Sequence, residues 1–93
     1  MLRLDYQALE VESNKLKAEG NTFEDCINTM TEIINALPDI WEAETCDQYL
    51  EQFTNARPTL MEVRQMIQDM ALQMDSISRN FAQADSEMRS QMQ

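Results

Sequence analysis

Every seventh residue from Leu2 to Leu37 is apolar: Leu2, Leu9, Leu16, Phe23, Met30 and Leu37. A companion series, Tyr6, Ser13, Gly20, Ile27 and Ile34, alternates with it at spacings of four and three, the seam of one long coiled-coil helix. A second ladder starts at Cys46 and passes through Phe53, Leu60, Ile67, Met74, Phe81 and Met88. Its companions are Tyr49, Ala56, Val63, Met70, Ile77, Ala84 and Gln91. Thirteen of these fourteen positions are apolar or aromatic in a chain that is 43% hydrophobic, so they are read together as core positions. The methionines among them are read as fillers of an irregular seam rather than as metal ligands. Ser13 and Gly20 are small enough to allow close approach of a partner.

Between the ladders Pro38 disfavours helix at Leu37, so the first helix is expected to stop near Ala36. Asp39 with Glu42, or Thr45 with Gln48, offers a capping box to open the second helix. Helix 1 is expected over about 2–37, a turn over about 38–44 and helix 2 over about 45–90, all within a single domain 1–93. Gly20-Asn21-Thr22 and Pro58 interrupt the two helices, and Pro58 costs about 3 kcal/mol in an ordinary helix. Both ladders nevertheless keep phase across the interruptions, from Leu16 to Phe23 and from Phe53 to Leu60, so each is read as one helix. Short connections make antiparallel neighbours. The fold class is therefore all-α, an antiparallel helix-turn-helix hairpin whose rods run roughly 50 and 65 Å. Two rods bury only one stripe each, which stabilises a small domain poorly. Dimerisation into an elongated four-helix bundle is expected.

Charge narrows the partners. Seventeen acids against seven bases give −10, and from Glu19 to Glu51 nine acids occur without one Lys or Arg. Such a surface repels phosphate and disfavours adsorption to anionic lipid, so nucleic acid is not expected as a partner, and no run is long and apolar enough for stable membrane insertion to be expected. The acidic midsection reads first as a solvated face and second as a surface for a basic partner. The start, Met1-Leu2-Arg3-Leu4-Asp5-Tyr6, lacks the apolar core of a Sec signal peptide.

Catalytic constellations are not found. The chain has no His and only one Gly, which removes the commonest general base and any glycine-rich phosphate loop. Two cysteines without His make a poor zinc site and no Cys-His nucleophile, so neither enzyme activity nor a cofactor is expected. In an antiparallel hairpin Cys26 and Cys46 lie some 15 Å apart, too far for an intrachain disulfide. Cys46 is read as a small seam residue, and an interchain bridge stays open.

Trp41-Glu42-Ala43 falls near the chain middle, between two long amphipathic helices, with Tyr49 eight residues after the tryptophan. Together with Gly20 in helix 1 and Pro58 in helix 2, this resembles the WXG100 (ESAT-6-like) family, with Trp-x-Gly altered to Trp-x-Ala. The C-terminus adds Phe81, Asp85, Met88 and Met92, spaced four, three and four on one helical face. That is similar to the family's export signal, with Phe81 keeping the ring of the usual tyrosine and lacking its hydroxyl. One charge among three apolar groups suits docking into a partner groove.

The resemblance implies a non-enzymatic protein made in the bacterial cytoplasm and secreted without a Sec signal by a type VII (ESX-type) system. Its implied partners are a second copy or a paralogous hairpin, and the export ATPase. It also implies that Trp41 and Ala43 of one chain sit beside the Phe81–Asp85 tail of the other. Rival readings are a cytoplasmic chaperone or adaptor for a larger secreted toxin, a heterodimer subunit whose weak Ser13 and Gly20 seam awaits a bulkier partner, and the needle subunit of a type III apparatus.

Overall fold

In the computed structural model, residues 3–92 are described, and Leu2 of the first ladder lies outside them. Helix α1 spans Tyr6–Ala36. Asp5 caps it, its carboxylate accepting from the Ala8 amide at 3.0 Å. The helix runs unbroken through Gly20-Asn21-Thr22 and ends two residues before Pro38. A single 3-10 turn, Leu37–Asp39, follows. The Leu37 carbonyl accepts from the amides of Ile40 at 3.0 Å and Trp41 at 2.9 Å, satisfying a carbonyl that the helix end leaves orphaned.

Helix α2 spans Glu44–Met92 and stays helical through Pro58. Neither expected capping box opens it: the carbonyl of Ala43 accepts from the amides of Cys46 at 3.1 Å and Asp47 at 3.4 Å. Glu44 and Asp47 lie in its first turn, where negative charge favours the positive end of the helix dipole.

The two helices pack antiparallel along a rod of 76 × 17 × 17 Å, and no strand occurs among the described residues. The packing face is unusually polar. On α1 the fully enclosed positions are Ser13, Gly20 and Ile27; on α2 they are Cys46, Ala71 and Ser78. The Ser13 hydroxyl donates to the Ala71 carbonyl at 2.9 Å and also meets the Asp75 carboxylate. Over Gly20 the two helices come close: a Cβ there would stand 3.0 Å from Arg64 Nη1 and 3.2 Å from Ile67 Cγ2. Ser13 and Gly20 thus receive the chain's own second helix.

The structure splits the second ladder. Phe53, Leu60, Ile67 and Met74 face α1, but the α2 residues that share this face with them are Leu50, Arg57, Arg64, Ala71 and Ser78, one residue later than the expected companions. Tyr49, Val63, Met70 and Ile77 lie outside the hairpin and are 37–50% exposed. The reason is that α2 carries two adjacent stripes. The apolar one looks more like a core, while the inner one contains arginines whose stems cover apolar surface and whose heads reach polar groups. Arg57 Nε and Nη2 donate to Thr31 Oγ1 at 3.2 Å and Asn28 Oδ1 at 3.0 Å. Arg64 Nη2 donates to Asn21 Oδ1 at 2.8 Å.

Candidate functional site

The turn and the tail occupy opposite ends of the rod. At the turn, the rings of Trp41 and Tyr49 pack tilted at 56° with centroids 5.5 Å apart. Trp41 is half-buried, and Ile40 beside it is 85% exposed. Ala43 stands where a glycine would otherwise allow a left-handed backbone. Among the described residues none has positive φ, so the turn is built in ordinary backbone space and the alanine is unstrained.

At the tail, α2 remains helical to Met92 and projects Phe81, Met88 and Met92 outward. Asp85 is the anchored member of the group. Its Oδ2 accepts from the Tyr6 hydroxyl at 3.1 Å and pairs with Arg89 Nη2 at 3.0 Å. Tyr6 is in turn held by Ser78, whose hydroxyl donates to the Tyr6 carbonyl at 2.7 Å. Around these groups Leu4, Tyr6, Phe81, Asp85 and Met88 line an open cleft of about 380 Å3.

A single surface leads to that tail. Val63, Met66, Met70, Ile77, Phe81 and Met88 follow one another at spacings of three, four, seven, four and seven, which puts them on one helical face. All six are exposed, Met66 by 54% and Met88 by 63%. Together they form an apolar stripe that the hairpin itself leaves uncovered. The sequence-derived seam therefore divides. Leu9, Leu16, Phe23, Ile27, Ile34 and Leu37 on the first helix and its exit, with Phe53, Leu60, Ile67 and Met74 on the second, are buried or half-buried in the hairpin. Met30, Val63, Met70 and Ile77 are not in it.

Sequence periodicity put Tyr6 in the first seam and the spacing put Asp85 in the tail, but it missed the bond between them, as well as Ser78, Arg64 and the Lys17–Asp75 ion pair at 2.5 Å. The Lys17 ammonium and the Ser13 hydroxyl hold the Asp75 carboxyl below its ordinary value of 3.8, against a smaller opposing effect of partial withdrawal from water. Stepping through α2 from Leu50 by seven would have reached Arg57, Arg64, Ala71, Ser78 and Asp85, a series whose polarity hides it from a hydrophobic scan. Cys26 is exposed, Cys46 is buried, and both are free thiols. Among the described residues no group of His, Cys, Asp and Glu is arranged to hold a metal ion. No described helix is long and apolar enough to cross a membrane.

The fold is a helical hairpin that buries polar groups inside and leaves an apolar stripe outside. A family model described as WXG100, proteins of 100 residues with WXG, matches residues 1–86, and the chain belongs to that family. Neither the curated proteins nor the solved structures contain a significant match to it. WXG100 proteins are small helical substrates of type VII secretion rather than enzymes, and they typically pair with themselves or with paralogues. The match includes the Trp41–Ala43 turn together with Phe81 and Asp85, while Met88 and Met92 lie beyond it.

Proposed function

We propose that this chain is exported by a type VII system as a folded dimer of hairpins. The outer stripe of α2 packs against a second copy. The tail motif Phe81, Asp85, Met88 and Met92 is the signal read by the export ATPase, completed by Trp41 and Ala43 of the partner protomer. The observation that carries this reading is the exposed apolar stripe that runs without interruption into the tail. A lone hairpin leaves it in water, where each fully exposed large apolar side chain forgoes about 1.5–3 kcal/mol of burial. Geometry adds support: one chain holds its turn and its tail at opposite ends of a 76 Å rod, so only a second chain can bring the two together.

The test compares wild type with Asp85→Ala in fractionated cultures, with a cytoplasmic marker to control for lysis. Export of the wild type and retention of a folded, dimeric variant are expected. Equal export of both removes the tail from the signal. Retention of both, with a larger protein held on the hairpin, favours the cytoplasmic adaptor instead.

A further inference from the structure

We infer that Tyr6, on the first turn of α1, is a positioning residue for the tail motif of α2, an inference that rests on the export reading above. Asp85 has two carboxylate oxygens in different situations. Oδ2 takes both the Tyr6 hydroxyl and the Arg89 guanidinium. No donor among the described residues reaches Oδ1. Oδ2 is anchored, and the Asp85 side chain as a whole stays 39% exposed.

The anchor is rigid because Tyr6 is held at both its ends. Its carbonyl receives the Ser78 hydroxyl at 2.7 Å, and its ring carries the hydroxyl to Asp85. The preceding residue, Asp5, caps α1 through the Ala8 amide, which fixes where the first turn begins. An exposed aspartate near the end of a helix would otherwise sample several rotamers, and docking would have to order it. Ordering it beforehand lowers that entropic penalty.

The same contact shapes the surface beside the carboxylate. Leu4 and Tyr6 form one wall of the cleft at this end, and Phe81 and Met88 form the other. The signal surface is therefore composite within one chain. It draws on the start of α1 as well as the end of α2, and Tyr6 brings to Asp85 the phenolic hydroxyl that Phe81 lacks. The partner that fits is a groove offering an apolar side chain to the cleft and an N–H or guanidinium donor to Oδ1.

The experiment measures export of the full chain for wild type, Tyr6→Phe, Asp85→Ala and Ser13→Ala, with a thermal melt of each purified protein. Tyr6→Phe keeps the ring and removes only the hydroxyl. We expect its export to fall roughly tenfold or more with little change in melting, as suits the loss of one hydrogen bond to a charged acceptor. Ser13→Ala removes the inner-seam hydroxyl whose one proton is shared between the Ala71 carbonyl and the Asp75 carboxylate, so its melting point falls at least as far while its export stays at the wild-type level. Retained export of Tyr6→Phe beside a blocked Asp85→Ala overturns this inference and leaves the export reading standing. Equal export loss in Ser13→Ala and Tyr6→Phe overturns it as well, because the effect is then one of stability. Full export of Asp85→Ala removes the tail from the signal, and this inference with it, while export of the chain stands.

Discussion

The two faces of α2 differ in a way that reverses ordinary expectation. The inner face, which meets α1, carries Arg57, Arg64 and Ser78 among its apolar residues. The outer face, which meets nothing in the single hairpin, presents Val63, Met66, Met70 and Ile77. Polar groups on the inner face are tied to named partners, Arg57 to Asn28 and Thr31, Arg64 to Asn21, Ser78 to Tyr6. Such ties depend on geometry, so they fix the register of the two helices. Dispersion and hydrophobic burial on the outer face are less directional, and methionine adapts to whatever it packs against. The inner face specifies the hairpin, and in the proposed dimer the outer face supplies the driving force for association.

That contrast is broken most severely from the outside. Met70→Asp places a carboxylate in the middle of the outer stripe. It is expected to raise the dissociation constant of the dimer at least about a hundredfold, because an unpaired charge resists burial in an apolar contact. At concentrations where the variant still pairs, helix content should barely change, since Met70 is already 50% exposed in the hairpin. Sedimentation and circular dichroism of the same sample check both halves. An unchanged dimer would assign association to another surface.

An intermediate effect is expected from acid. Asp75 has its folded pKa held below the ordinary 3.8, so the Lys17 and Ser13 contacts stabilise the fold wherever the pH exceeds that value. This contribution fades as the pH falls through the lower, folded value. The stability difference between wild type and Asp75→Asn should therefore be constant near neutrality and shrink below about pH 4. Denaturant titrations at several pH values measure it, and a difference that grows on acidification would contradict the assignment.

Gly20→Ala sharpens the comparison with the smallest effect. Alanine favours helix over glycine by about 1 kcal/mol. Its Cβ would press on the mobile end of Arg64 and, more firmly, on Ile67 Cγ2 at 3.2 Å. The two effects offset, so stability should stay within about 1 kcal/mol of wild type. A loss of about twice that would show the close approach at Gly20 to be stiffer than described.

Much of this architecture was legible in the sequence because it rests on periodicity. The heptad phase held across Gly20 and Pro58, and both helices are continuous there. Pro38 marked the end of α1, and Trp41-Glu42-Ala43 marked the turn and the family. Two things were not legible. A scan for apolar positions prefers Val63, Met70 and Ile77 to Arg57, Arg64 and Ser78, although the latter pack inside. An arginine's fate depends on whether a neighbour such as Asn21 receives its head, and spacing alone does not reveal that. The tie between Tyr6 and Asp85 spans nearly the whole chain, and it follows only once the antiparallel register is known. The turn taught a third point. Both capping boxes were plausible, yet the Ala43 carbonyl opens α2 without a side-chain oxygen of its own.

The most direct test of the division between an inner and an outer face is the mass of the purified wild-type chain in solution. Sedimentation equilibrium at micromolar concentration should return twice the 10.8 kDa of one chain, with a melting point that rises with protein concentration. A 10.8 kDa species that is fully helical and melts cooperatively, independent of concentration, would contradict the account. The outer stripe of α2 would then be stable in water without a second copy.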